Sequence, residues 1–376
     1  MSERAARLAL SCVVEPANPK ATELVARLGA EQLWDELCQG AGSEPLARRV
    51  REFRIEPVLA QAEAAGLRFV IPGDPEWPLG VSDLAGCEPV NDLSGAPLGL
   101  WVRGGGELAG LARRSAAIVG SRACSSYGET AASELAADLG RHGVVTVSGG
   151  AYGVDAAAHR GCLAGRTPTV AVLACGLDRS YPPAHRSLFD RIAEDGVLIS
   201  EFPPGAHPTR VRFLGRNRLI AAITQVTVIV EAAVRSGARN TVTWANCLNR
   251  VVAALPGSIY SAQSYTPHRL IRDSEAVLVT SGAEVLELLA PLGRGAPRQR
   301  PERRPTDELS PEQLAVFEAV PARGGLTVEE LSLRSGVPLA QCLGVLDELA
   351  EQGVVEQDEN WQWRLPRRRR AQTPLF

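Results

Sequence analysis

"VVTVSGGAYGVDAAAHRGCL" spans Val144–Leu163. It opens on β-branched residues with no alternating polar face, passes through Ser148, Gly149 and Gly150, and runs from Gly153 and Asp155 into alanine-rich, helix-forming sequence. A strand that is apolar on both faces and leads into a helix belongs to a parallel sheet covered on both sides. The same pattern recurs outward in "LRFVIPG" (67–73), "LGLWVRG" (98–104), "AAIVGSR" (116–122), "TVAVLACG" (169–176), "GVLISE" (196–201), "VTVIVEA" (226–232) and "VVAALPG" (251–257). The expected fold class is therefore α/β, with an extended Rossmann-like parallel sheet domain over residues 61–290.

The flanks read differently. Residues 1–60 predict short helices, with Leu24, Leu28, Leu33 and Leu37 at roughly helical spacing. Residues 291–308 are rich in Pro and Arg without apolar periodicity, which predicts a linker. In 309–366, "SPEQLAVFEAV" starts a helix with a Ser cap and Pro at its first position. Two further helices and an alternating hairpin segment follow, the order of a winged-helix domain. The end, "RRRRAQTPLF" (367–376), predicts a disordered basic tail.

Composition narrows the function class. The chain has 376 residues, 45% hydrophobic, with a formal net charge of −3. That length suits two or three domains. No run of 18 apolar residues suggests a membrane span, and no secretory cleavage region is evident, so the expectation is a cytoplasmic protein. The eight cysteines are scattered, with no C-x-x-C and no Cys/His cluster at zinc spacing, so neither a metal nor a cofactor is expected. Overall charge does not point to nucleic acid; only local clusters can.

Ligands of open parallel sheets bind at the carboxyl ends of strands, near the point where strand order reverses. Four segments lie at such ends. In the first, Gly120, Ser121 and Arg122 close a strand; the Ser121 and Arg122 amides and the following helix start favour an anion, and Arg122 adds a fork-shaped charge. In the second, Ser148, Gly149 and Gly150 precede a helix start that matches neither the Walker nor the dinucleotide pattern. There Asp155 either caps the helix or pairs with His159, one turn later on the same face, for catalysis. The third, "ACGLDRSYPPAH", leaves Arg179 and Tyr181 open between a turn and a ligand contact.

The fourth is "HPTRVRFLGRNRLI" (His207–Ile220), with Arg210, Arg212, Phe213, Arg216 and Arg218 and no acid between Glu201 and Glu231. Arginines for phosphates beside an aromatic for a base are what single-stranded nucleic acid requires. One arginine of the 216–218 triplet is expected to serve structure, against Glu231 or Asp155.

Four motifs occur in order: GSRxxSxYG (120–128), SGGAYGVDAAAH (148–159), FxxRNR (213–218) and VEAxxxSGxxxT (230–241), the last including Ser236 and Gly237. With them the chain resembles the DNA-processing protein A (DprA/Smf) family over about residues 60–290. The resemblance implies single-stranded DNA binding, homodimerisation through the Rossmann domain, delivery of DNA to the RecA recombinase during natural transformation, and no catalysed reaction. It also implies a SAM-like helical N-terminus and an accessory winged helix. Family DNA contacts fall on Arg122, Arg210 and Phe213, and the RNR motif on Arg216, Asn217 and Arg218. Leu214 stands where the family has Pro, and "LIAAIT" and "SGARNTV" depart from its usual wording.

Two alternatives belong to other classes. A nucleotide site of the kind found in LOG-like phosphoribohydrolases could use Gly120–Arg122 with Ser148–Gly150, but their PGGxGTxxE motif is absent. A duplex-DNA regulator would read through the helix in "PLAQCLGVLDELAEQG", which has no Lys or Arg and carries Asp347, Glu348 and Glu351.

Overall fold

A computed structural model of the chain describes residues 1–290, 306 and 309–366. The linker expected at 291–308, apart from Thr306, and the tail expected at 367–376 lie outside the described residues. Two compact units divide between Ala296 and Pro297.

The first unit begins with helices α1 (Glu3–Val13), α2 (Pro19–Leu28), α3 (Ala30–Cys38), α4 (Glu44–Glu52) and α5 (Ile55–Ala64). Strands β1 (Leu67–Val70) and β2 (Leu100–Arg103) precede α6 (Leu108–Ala112). Alternation follows: β3 (Ser115–Val119), α7 (Ser126–Arg141), β4 (Val145–Ser148), α8 (Val154–Ala164), β5 (Thr169–Val172), α9 (Arg186–Asp195), β6 (Val197–Ser200), α10 (Arg210–Ile223), β7 (Val226–Ile229), α11 (Ala238–Cys247), β8 (Val251–Ala254), α12 (Tyr265–Arg272), β9 (Val277–Leu278) and α13 (Gly282–Leu289). Each of the eight apolar runs contains a strand. β9 is only two residues long and both are exposed, too short for a sequence period.

The sheet has nine strands in the order β1-β2-β6-β5-β4-β3-β7-β8-β9. It is parallel from β6 to β9, whereas β1–β2 and β2–β6 are antiparallel. The all-parallel expectation fails at this edge because no α-helix lies between β1 and β2 to carry the chain back for a parallel pairing. Strand order reverses at β3, whose neighbours are β4 on one side and β7 on the other. Both faces are covered. Ala117 and Val119 of β3 pack with Leu219, Ile220 and Ile223 of α10 and Val242 and Trp244 of α11. Ala116 and Ile118 pack with Leu135, Ala136 and Leu139 of α7. That two-sided burial is why these strands lack alternation.

The N-terminal helices have a small core of their own around Leu10, Val13, Leu33 and Trp34. They are nevertheless part of the first unit, because Leu8 and Ala62 share a cluster with Trp101, Leu173, Phe189 and Leu198. Residue 60 is therefore not a break in packing.

The second unit holds α14 (Pro311–Ala319), α15 (Val328–Ser335), α16 (Leu339–Glu351) and the antiparallel pair β10 (Glu356–Gln357) and β11 (Trp363–Arg364). Ser310 with Gln313, and Thr327 with Glu330, form reciprocal capping boxes that satisfy the first amides of α14 and α15. Val316, Leu331, Leu346, Leu349 and Trp363 form its core.

Candidate nucleic-acid interface

Three of the four motifs follow β3, β4 and β7, and the fourth, on α10, meets them through the Arg122–Phe213, Arg216–Gly149 and Asn217–Gly237 contacts. α10 starts at the surface and ends in the core. Thr209 caps it by accepting from the Arg212 amide at 3.3 Å. Arg210 and Val211 are exposed, whereas Gly215 through Ile223 are buried. One run of arginines is thus divided between two environments.

Arg218 is fully buried. Its guanidinium forms a bidentate pair with Glu201, with Nη2 donating to Oε1 at 2.6 Å, and Nε donates to the Gly95 carbonyl at 3.0 Å. The structural arginine is therefore Arg218, and its acid is Glu201 rather than Glu231 or Asp155. Arg218 cannot reach a DNA strand. A buried charge requires such a partner, because unpaired it would be costly.

Arg216 is 4% exposed and donates to the carbonyls of Gly149 (2.6 Å) and Val172 and to Asn217 Oδ1 (3.2 Å). Burial lowers its pKa to about 10, partly offset by Asp155. A Cβ on Gly149 would sit 2.5 Å from the guanidinium, so glycine there permits the close approach. Asn217 bridges to Asn240 Oδ1 at 3.2 Å and to the Gly237 carbonyl at 3.4 Å, tying α10 to the start of α11. Ser148 is buried and donates to the Ile118 carbonyl at 2.6 Å. Arg216, Asn217 and Ser148 thus hold the floor of the site, and the expectation of direct side-chain contacts from them is corrected.

Arg212 is also engaged. Its Nε and Nη2 donate to the Glu15 carboxylate at 2.6 and 2.9 Å, and Nη1 donates to the His207 carbonyl at 2.7 Å. The stretch lacks acids in sequence, but the fold brings Glu15 and Glu201 to it.

The rim comprises exposed Arg122, Arg210 and Tyr181 with half-buried Arg179 and Phe213. Arg122 and Arg210 are exposed and form no ion pair among the described residues. The Arg122 guanidinium carbon lies 4.5 Å from the Phe213 ring centroid, and the Tyr181 ring is 5.7 Å from Phe213 at 49°. Arg179 is partly exposed, with Nη1 3.1 Å from the His207 ring nitrogens and Nε 3.8 Å from Asp178. Ser236 is half-buried and accepts from the Ala238 amide at 3.3 Å; Gly237 is exposed. Sequence reasoning left Tyr181 open and did not single out Tyr152 or Arg235, both exposed at strand ends.

The anion site expected after β3 is already partly engaged. The Ser121 amide donates to the Glu231 carbonyl at 2.6 Å. The Glu231 carboxylate accepts from the Ser125 amide at 2.8 Å and the Ser125 hydroxyl at 2.6 Å, at the N-terminus of α7 where a negative charge is favoured.

Asp155 accepts from the Ala151 amide at 3.3 Å and braces the loop after β4; Gly153, at φ 74°, takes the cap position. Burial pushes the Asp155 carboxyl up, and the Arg216 charge opposes this. His159 is fully buried and its Nδ1 bonds Thr169 at 2.9 Å, while burial drives its pKa down to about 3. His159 bonds Thr169 rather than Asp155, so the two do not form a relay. Among the described residues no group of three His, Cys, Asp or Glu is placed to hold a metal ion, and no helix is long and apolar enough to cross a membrane.

A mostly parallel α/β sheet covered on both faces, with its strand order reversing at β3, defines an open Rossmann-like fold. The DNA recombination-mediator protein A family model matches residues 68–290, and the chain belongs to that family. It is 42% identical over 359 residues to the putative DNA processing protein DprA of Mycobacterium tuberculosis, covering 94% of this chain and 92% of that protein. The X-ray structure of DNA processing protein A from Streptococcus pneumoniae superposes with a TM-score of 0.64 at 31% identity, covering 76% of this chain and 97% of that one. DNA processing protein A from Helicobacter pylori, described as having a unique single-stranded DNA binding mode, matches with a TM-score of 0.51 at 25% identity, covering 60% and 97%.

Proposed function

We propose that this chain binds single-stranded DNA across the carboxyl-end rim and acts in DNA processing during natural transformation. It binds as a homodimer that protects incoming strands and passes them to a RecA recombinase, without catalysing a reaction. The observation that carries the reading is the Arg122–Phe213–Tyr181 cluster beside exposed Arg210, which offers charge for phosphates and aromatic surface for bases. The H. pylori relative, with its single-stranded DNA binding mode, supports the reading. The backbone around Gly120, Ser121, Gly149 and Gly150 and the Ser236–Gly237 turn form the floor and wall of the proposed path, with Arg179 at its edge.

Glu231 weakens the case for a nucleotide-cleaving site, because its carbonyl and carboxylate already take the Ser121 and Ser125 amides. A surface for the homodimer is offered by exposed Ile259, Tyr260 and Tyr265, between β8 and β9 in sequence, and by exposed Val277 and Leu278 of the edge strand β9. The helical N-terminus serves as a SAM-like extension, and the three helices and hairpin of the second unit as an accessory winged helix.

The test is fluorescence anisotropy of the full chain with labelled single-stranded and blunt duplex DNA at several salt concentrations. Preference for the single strand, with affinity falling as salt rises, is expected. Equal affinity for both, or no salt dependence, overturns the proposal.

A further inference from the structure

We propose that Tyr152 and Tyr181 are base-stacking platforms of this rim, taking bases of a single strand beside the Arg122–Phe213 pair. The proposal rests on the single-stranded DNA reading and adds residues that take its bases.

Phe213 alone offers little open face. Arg122 lies 4.5 Å from its centroid, Arg216 5.9 Å and the Tyr181 ring 5.7 Å. A base inserted between two rings needs about 7 Å between them, twice an aromatic contact of about 3.5 Å. The Tyr181–Phe213 spacing excludes that, so a base stacks on the outer side of the pair. The open rings are Tyr152, 48% exposed, and Tyr181, 41% exposed.

Both rings are held from one side. Tyr152 stands at 68° against the His185 ring, 4.8 Å away. His185 is buried, bonds the Gly150 carbonyl at 3.0 Å and packs 6.0 Å from buried Phe189. Tyr181 leans on Phe213. A ring anchored on one side and open on the other loses little freedom when a base covers it.

Tyr181, Tyr152 and Arg122 lie in the segments that follow β5, β4 and β3, three neighbouring strands of the sheet, so all three belong to the same carboxyl-end edge. Stacking tolerates any base, because every base has a π-face.

The test uses the full chain, with anisotropy on labelled oligothymidylate and on an abasic oligomer of equal length. Tyr152→Ala and Tyr181→Ala should each weaken oligothymidylate binding roughly 5- to 150-fold, with an unchanged salt slope. Tyr152→Phe and Tyr181→Phe should bind like the wild type, since the ring is retained. On the abasic oligomer the alanine variants and the wild type should bind alike. The inference is overturned if both alanine variants keep wild-type affinity for oligothymidylate, or if they lose the same factor on the abasic strand. If the wild type itself shows no preference for single strands over duplex, the underlying DNA reading falls and this inference with it. If the wild type prefers single strands while the tyrosine variants are silent, only the inference falls.

Discussion

The guanidinium of Arg122, at the end of β3, lies 4.5 Å from the centroid of the Phe213 ring in the N-terminal turn of α10. One charge and one ring 91 residues apart in the chain thus form a single surface, which fixes how their losses should combine. Phe213→Ala should weaken single-stranded DNA binding by about 1–3 kcal/mol with little change in salt slope. Arg122→Ala should lower affinity and also flatten the slope by about 0.7, the effect of one phosphate contact. The double variant should lose less than the sum, because each residue supports the other. Additive losses in equilibrium titrations would show that the pair acts as two separate contacts.

The ion pairs set the salt dependence. Counted by sequence, Arg122, Arg210, Arg216 and Arg218 suggest a log–log slope near roughly −3 at about −0.7 per phosphate. With Arg216 and Arg218 buried, the exposed Arg122, Arg210 and partly exposed Arg179 predict about −2. Glu15→Gln frees Arg212 from its 2.6 Å contact, and should steepen the slope by about 0.7 while tightening binding. A Glu15→Gln slope equal to that of the wild type would show that Arg212 has no phosphate within reach.

What was legible in the sequence follows from what is local. Strands buried on both faces announce themselves as unalternating runs, and caps such as Ser310 with Gln313 lie three residues apart. Glycines at strand ends likewise marked the rim. The partners of the arginines were not legible, because Glu201 and Glu15 reach Arg218 and Arg212 across 17 and 197 residues. An absence of acids along the chain says nothing about acids across the fold. The antiparallel edge was hidden for the same reason, since direction depends on the connection and not on the strand.

Arg218 should matter for stability rather than for contact with DNA. Arg218→Ala leaves Glu201, itself buried, without its partner, and should cost about 3–5 kcal/mol in urea unfolding. Replacing both, as in Arg218→Met with Glu201→Leu, should recover much of that loss, because no unpaired charge remains. A double variant as unstable as Arg218→Ala would mean that the bonds to Gly95 and Gly215 carry the stability instead.

Burial of His159 links stability to pH. Its pKa is about 3 in the folded chain against an ordinary 6.5, so the unfolded chain binds the extra proton and stability falls as pH drops below about 6.5. Between pH 7.5 and pH 5 this amounts to about 2 kcal/mol. Asp155, whose carboxyl is pushed up by burial, acts with the opposite sign and favours the folded state as pH falls. His159→Gln isolates the histidine part. Its unfolding free energy should decline less than that of the wild type between those pH values, and parallel curves would show that His159 does not titrate on unfolding.

The chain divides between Ala296 and Pro297, and every rim residue lies before that division. A chain ending at Ala296 should stay folded and bind single-stranded DNA within about tenfold of the full chain, or 1.4 kcal/mol. The second unit's third helix carries Asp347, Glu348 and Glu351 and no Lys or Arg, so it has little attraction for a polyanion. Removing residues 1–64 should have the opposite outcome. It takes Leu8 and Ala62 from the cluster that covers Trp101, Leu173 and Phe189, at about 1.5–3 kcal/mol for the leucine alone. It also removes Arg4 from Asp74, Arg7 from the Leu98 carbonyl and Glu15 from Arg212. The chain lacking residues 1–64 should therefore unfold at lower urea or aggregate, although it carries every rim residue. If instead the shortened chain melts like the full one while the chain ending at Ala296 loses several hundredfold in DNA affinity, the helical segment is a separate module and the second unit is a principal DNA site.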